Sequence, residues 1–144
     1  WQTPAQFITN HQLGTVLLGT ITTTSGSSLS LSSLTLTNFK SLLVVFDGVS
    51  STSTSAVLGL GTVIVCSDTL GTATRLWDGT HLISLAGNGI STVNTSLWAA
   101  GRASFLSSFA RSLASGLTTA STSITYYVSA GTFDAGEIKV YGIR

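Results

Sequence analysis

The side chains able to carry acid–base, nucleophilic or metal chemistry are few in this 144-residue chain: five carboxylates, six basic groups, two histidines and one cysteine. A general base needs an imidazole within hydrogen-bond reach of the proton it takes. The histidines are His11 and His81, and serines are abundant, so material for a Ser-His-Asp arrangement exists. No Gly-x-Ser-x-Gly elbow is present to expose a serine on a strained turn. His81 stands near a turn signal and reads as a hydrogen-bonded rim residue. Asp47, Asp68, Asp78, Asp134 and Glu137 do not fall at calcium-loop spacing. Asp47, Asp78 and Asp134 stand beside or near glycines, where aspartate accepts backbone N–H bonds in turns. One cysteine and two histidines give no zinc spacing. Gly59-Leu60-Gly61 lacks the lysine and following helix of a phosphate loop. Cys66 closes the apolar run Val63-Ile64-Val65 and reads as a small buried hydrophobe. The expectation is a protein that is not an enzyme and uses no metal or cofactor.

The aromatic residues offer a different chemistry. Trp77 and Trp98 present flat faces that could stack on sugar rings, and Trp77 with Asp78 makes the minimal aromatic–carboxylate pair of a glycan site. Either indole could equally cap a core or fill a subunit interface, as large amphipathic rings often do. Trp77, Asp78 and Trp98 are therefore the candidate glycan or subunit contacts. Of the pair Tyr126-Tyr127, one ring is expected in the core and one outside.

Composition narrows the partners. Only 8% of residues are charged and the net is +1, against about a quarter in ordinary domains. Serine and threonine make up roughly a third of the chain. The basic residues, Lys40, Arg75, Arg102, Arg111, Lys139 and Arg144, are scattered, so the basic patch that phosphate contacts require is missing and no nucleic acid is expected. Mean hydropathy is +0.47, yet no apolar run reaches the roughly 18–20 residues that span a bilayer. Val57 to Cys66 comes nearest and is broken by Gly59, Gly61 and Thr62. Membrane insertion is not expected. A chain so apolar and so poor in ions keeps its surface from sticking by covering it with other subunits.

Those side chains have to be held by strands, because Ser, Thr, Gly, Val and Leu favour strands and turns over helices. Residues 1–12 read as an arm carrying Pro4, Trp1, Phe7 and Ile8, and residues 13–144 as one domain. Strands are expected over Leu13–Thr24 and Leu29–Leu36, the latter with a bulge at Ser32-Ser33. Leu42–Phe46 reads as a central strand buried on both faces and ended by Asp47-Gly48. Ser50–Ser55 reads as a loop tip, Val57–Cys66 as one strand bent at its glycines, and Ser67–Thr74 as a turn region. Asp78-Gly79 and Gly87-Asn88-Gly89 are turn signals around a strand at His81–Leu85. In Leu97–Leu113 a period of four competes with a period of two, so strand to about Phe105 followed by a loop is set against one short helix within 97–115. Ser121–Ser129 and Gly136–Arg144 are strands. The sum is an all-β, antiparallel β-sandwich or jelly roll of about eight strands.

Two phrases carry a family likeness. Gly131-Thr132-Phe133-Asp134-Ala135-Gly136-Glu137-Ile138-Lys139-Val140-Tyr141-Gly142-Ile143 resembles the closing strand of small virion proteins of tailed bacteriophages, of the tail-fibre or structural type. Leu34-Thr35-Leu36-Thr37-Asn38-Phe39-Lys40-Ser41-Leu42-Leu43-Val44-Val45-Phe46 resembles the polar strand, turn and buried strand of the same proteins. The resemblance implies a virion location, self-association as a homotrimer, contacts with other virion proteins, and host-surface glycan as a further partner. Capsid decoration and a carbohydrate-binding adhesion module are the alternatives.

Overall fold

Ten strands follow one another in the computed structural model, which describes residues 14–61, 63–66, 75–86, 90–99, 102 and 104–144. They are β1 (Thr15–Thr22), β2 (Ser28–Leu31), β3 (Ser41–Ser51), β4 (Leu58–Leu60), β5 (Val63–Cys66), β6 (Leu76–Ser84), β7 (Ile90–Trp98), β8 (Phe105–Ala114), β9 (Ile124–Val128) and β10 (Phe133–Ile143). They form a six-stranded sheet, β1-β10-β3-β6-β7-β8, and a four-stranded sheet, β2-β9-β4-β5. The all-β sandwich expected from the composition is the fold.

The winding is that of a jelly roll. β1 pairs with β10, β2 with β9, β3 with β6 and β4 with β5, all antiparallel. These are the rungs of one long hairpin rolled so that alternate rungs fall in opposite sheets. Without β7 and β8 the sheets would be β1-β10-β3-β6 and β2-β9-β4-β5, the eight strands of that architecture. The β7–β8 hairpin is an addition to it, and it widens the larger sheet beyond β6. β5 of the smaller sheet approaches both strands of this hairpin.

Period-two alternation decides what is buried. Leu42, Val44 and Phe46 of β3, Trp77, His81 and Ile83 of β6, and Ile138 and Val140 of β10 face the smaller sheet and are buried. Ile124, Tyr126 and Val128 face them from β9, while Tyr127 is half-buried on the other side, so the tyrosine pair splits as expected. Leu43 and Val45 are only half-buried, which corrects the two-sided burial expected of β3; the outer side of the larger sheet has no second layer on it among the described residues.

Several local expectations are corrected by the way glycines and serines are used. Asp47-Gly48 does not end β3. Gly48 adopts φ 61°, the register with β6 shifts between Phe46 and Val49, and the strand continues to Ser51. Ser50 and Ser51 are thus buried strand residues instead of a loop tip, and the Ser51 hydroxyl donates to the Ala130 carbonyl at 3.0 Å. Val57–Cys66 is two strands that reverse next to Gly61, at φ 57°. Asp78-Gly79 lies inside β6 instead of in a turn. In place of a bulge at Ser32-Ser33, β2 ends at Leu31 and Ser33 takes φ 58°. Strand wins over helix in 97–115, but it is two strands: β7 stops at Trp98 and β8 occupies 105–114, where a loop was expected. The arm 1–12, the turn region Ser67–Thr74 and the Gly87-Asn88-Gly89 turn lie outside the described residues.

One glycine shows how tightly the larger sheet is bent. Gly136 sits at φ 91°, and a Cβ there would run into the backbone of Asp47 and Gly48 on β3. The β10–β3 register shifts twice here, between Phe133 and Ala135 and between Ala135 and Glu137. Gly136→Ala adds left-handed backbone strain to a clash that no side-chain movement relieves. It is expected to cost about 2 kcal/mol, read as a lowered urea midpoint with unchanged slope.

Candidate functional site

Two groups of polar side chains stand out, one inside the sandwich and one on its surface. The inner group is centred on His81. Alternation along β6 turns this residue inward, and it is fully buried, which corrects the rim position expected for it. Its Nδ1 lies 2.9 Å from the Tyr126 hydroxyl on β9, and its Nε2 lies 2.8 Å from Ser91 Oγ on β7. Ser91 Oγ in turn lies 3.3 Å from the Leu113 carbonyl on β8. One arrangement of protons satisfies every member. The Tyr126 O–H donates to Nδ1, the Nε2–H donates to Ser91, and the Ser91 O–H donates to Leu113. The chain ties the smaller sheet to three strands of the larger one.

Ser91 and His81 are at catalytic spacing, but the arrangement lacks two things that acyl transfer needs. The partner of Nδ1 is a tyrosine hydroxyl where a carboxylate would stabilise an imidazolium. Ser91 is 2% exposed, so no substrate carbonyl can reach its oxygen. Burial also lowers the His81 pKa from 6.5 to about 4 and raises that of Tyr126, holding both groups neutral. The role of these hydrogen bonds is structural: they satisfy polar atoms where an unpaired one would be costly.

The outer group sits where the β7–β8 hairpin turns. Cross-strand register sets Leu76, Trp98 and Phe105 in one row across β6, β7 and β8. The Trp98 and Phe105 rings meet edge to face, with centroids 5.4 Å apart at 74°. Trp98 is half-buried and Phe105 is 54% exposed. Two residues from Leu76 on the same side of β6 stands Asp78. Arg102, from the hairpin loop, reaches back over the sheet to it: Nε lies 2.7 Å from Asp78 Oδ2 and Nη2 lies 2.7 Å from Oδ1. The same Nη2 also contacts Asp47 on β3. The Gly48 N–H donates to Asp78 Oδ1 at 2.7 Å. The hydrogen bond to Asp78 is the main reason the Arg102 pKa is raised.

The loop is shaped for this reach. Arg102 itself adopts φ 57°, its N–H donates to the Ala99 carbonyl at 2.9 Å, and the Ala99 N–H donates to the Ser104 carbonyl at 2.9 Å. Two carboxylates against one guanidinium leave an excess negative charge beside an aromatic row. Asp47 is the more open carboxylate, with its side chain 56% exposed against 19% for Asp78. Such a surface can stack a flat apolar ring on Trp98 and accept hydroxyl donors at Asp47. Among the described residues no group of three or more His, Cys, Asp or Glu is placed to hold a metal ion.

Of the three residues singled out from the sequence, the structure brings Asp78 and Trp98 to one surface and sends Trp77 elsewhere. Neighbours in a strand point to opposite faces. If Asp78 is outside, Trp77 must be inside, and it is fully buried in the core. Arg102, Phe105 and Asp47 complete the patch and were not anticipated. The only sequence sign of Arg102 was a lone cation in a nearly uncharged stretch. Arg102→Ala is expected to lower stability by no more than about 1 kcal/mol, since exposed ion pairs contribute little. It is also expected to speed exchange of the Ala99 and Arg102 amides, as followed by hydrogen–deuterium exchange.

Compared with protein-family models, with curated proteins and with solved structures, the chain matches none.

Proposed function

We propose that this chain is a structural subunit of a tailed-phage virion, a jelly-roll module of the tail fibre or tail tip that works by packing against copies of itself and other virion proteins. The observation that supports this best is the bare outer side of the six-stranded sheet. Register lines up Leu17, Tyr141, Leu43 and Leu82 across β1, β10, β3 and β6. Leu17 is 52% and Leu82 44% exposed. An open groove of about 600 Å³ continues the row past Leu82 towards Ala110 and Arg111 of β8. An apolar band of this kind marks an interaction surface.

Two further arguments favour the reading. Jelly rolls recur in viral capsid and lectin domains; that is an analogy at the level of fold, and it carries weight only together with the surface. The closing strand β10 also pairs on both sides, with β1 and β3, so the phrase that resembles phage virion proteins sits inside the larger sheet. Mass spectrometry of purified phage particles encoded by the same genome as the chain tests the proposal. Recovery of its peptides with the particle is expected, and their absence from intact particles would count against a virion role. Immunogold label on the head instead of the tail would favour capsid decoration.

A carbohydrate-binding role is the second reading, carried by Trp98, Phe105, Asp78 and Asp47. If the patch binds glycan, Trp98→Ala is expected to lower glycan-array signal at least tenfold while lowering the thermal midpoint by only about 2–4 °C. Equal signal from both proteins would remove the patch as a sugar site.

A further inference from the structure

From the free edge of the larger sheet we infer that β8 is a self-pairing strand, joining two copies of this chain through an antiparallel β8–β8 contact. The inference rests on the assembly reading above and names the surface that it uses. Among the described residues β8 has a strand partner on one side only, β7. An open edge offers N–H and C=O groups to any extended chain, and proteins commonly blunt such edges with short strands, bulges, prolines or charges. The other three edges carry such devices. β2 and β5 are four residues each, and β1 is interrupted by a register shift between Leu17 and Gly19. β8 has a register shift as well, at its start opposite Leu97 and Trp98, but its register with β7 is then continuous from Ser107 to Ala114, the longest unbroken run of the four edges, and the ten-residue strand has no proline, no carboxylate and one charge, Arg111. Phe105 and Leu106 stand exposed at its start.

The occupant that fits is a second β8. A two-fold axis perpendicular to the sheet keeps the inner faces of both copies on one side, so paired residues must share a face. Centred on Phe109, it overlaps Leu106–Ser112 with its mate, because the register shift at the start of β8 leaves Phe105 on the outer face beside Trp98 while Leu113 is buried inward, and it brings the two half-buried Phe109 rings together. Arg111 then lies opposite Ser107 instead of opposite Arg111, so the strand's only charge meets no like charge. On the outer face Ser108 falls opposite Ala110. An isologous contact of this kind closes after two copies, gives the pair a continuous sheet, and makes the order of any larger assembly even, which departs from the homotrimer that the resemblance implies.

The geometry can be tested with charges on exposed positions. Ser108 and Ala110 both face solvent on the outer side of the sheet, so neither substitution touches the core. In the proposed register Ser108→Lys with Ala110→Lys sets lysine against lysine twice, while Ser108→Lys with Ala110→Glu sets lysine against glutamate twice. Cross-strand charge pairs of each sign predict that the first variant weakens self-association about tenfold and the second restores it to about the wild-type level, measured by sedimentation equilibrium of the full chain. Circular dichroism checks that both variants keep the fold. An assembled wild type whose association is untouched by the lysine pair overturns the β8 contact and leaves the assembly reading standing, as does equal weakening by both variants. A wild type that is monomeric throughout overturns both.

Discussion

Acidification from pH 6.5 to 4 is expected to remove about 3 kcal/mol of folding stability through His81 alone. The sign follows from where the proton can bind. In the unfolded chain His81 takes up a proton below its ordinary pKa of 6.5, whereas in the folded chain burial holds it neutral down to about 4. Across that window the unfolded state carries more protons, so stability falls as pH falls and the full benefit is present above 6.5. The geometry explains why the imidazolium is excluded. Nδ1 must stay an acceptor for Tyr126, and among the described residues the ring's hydrogen-bond partners are two hydroxyls, with no carboxylate to balance a charge. Urea unfolding at pH 7, 5.5 and 4 measures the slope. His81→Gln removes the titration and is expected to flatten the profile relative to wild type, although it is less stable at pH 7. Tyr126→Phe leaves Nδ1 without its donor and is expected to cost about 1–3 kcal/mol at neutral pH. Parallel pH profiles for wild type and His81→Gln would show that the histidine is not the acid-sensitive group.

Trp77→Ala is expected to destabilise the protein by about 3–5 kcal/mol, enough to unfold much of the population at physiological temperature. Trp77 is the largest of the fully buried side chains, and its β6 strand is hydrogen-bonded on both sides, to β3 and β7. Removing it opens a cavity that paired strands cannot close around. Trp98→Ala is the control. Its ring is half-buried against Phe105 at the sheet end, and its loss is expected to cost about 1 kcal/mol. The two tryptophans, equal as candidates in the sequence, thus separate into a core residue and a surface residue. Thermal unfolding of both variants checks the order, and a smaller loss for Trp77→Ala than for Trp98→Ala would contradict the assignment.

The same pair shows what could be read from the residues alone. Alternation in Ile124-Thr125-Tyr126-Tyr127-Val128 and in Ile138-Lys139-Val140 was enough to place their buried faces, because period two is a local property. The all-β class followed from composition for the same reason. Local patterns could not tell a turn from a bulge at Asp47-Gly48, since both use a glycine with positive φ; what decides is the strand alongside. Nor could they show that Asp78-Gly79 stays within β6. There the missing Cβ makes room for the backbone of Asn94 and Thr95 on β7, a contact between distant parts of the chain. The Arg102 clasp and the His81 chain were illegible for a related reason. Asp47, Asp78 and Arg102 come from two strands and a loop, and Tyr126, His81 and Ser91 from three strands. The serine and threonine background offers so many hydroxyls that no spacing singles out Ser91. The alternation places the Tyr126 ring in the core but does not name the partner of its hydroxyl, which is His81.

Association is expected to cover the outer side of the larger sheet and the β8 edge, which among the described residues carry no further layer or strand. Sedimentation velocity of the purified 144-residue chain across nanomolar to micromolar concentration tests this most directly. A shift to faster, multi-subunit species with rising concentration is the expected result. A single species at the mass of one 14.8 kDa chain across the whole range would contradict it.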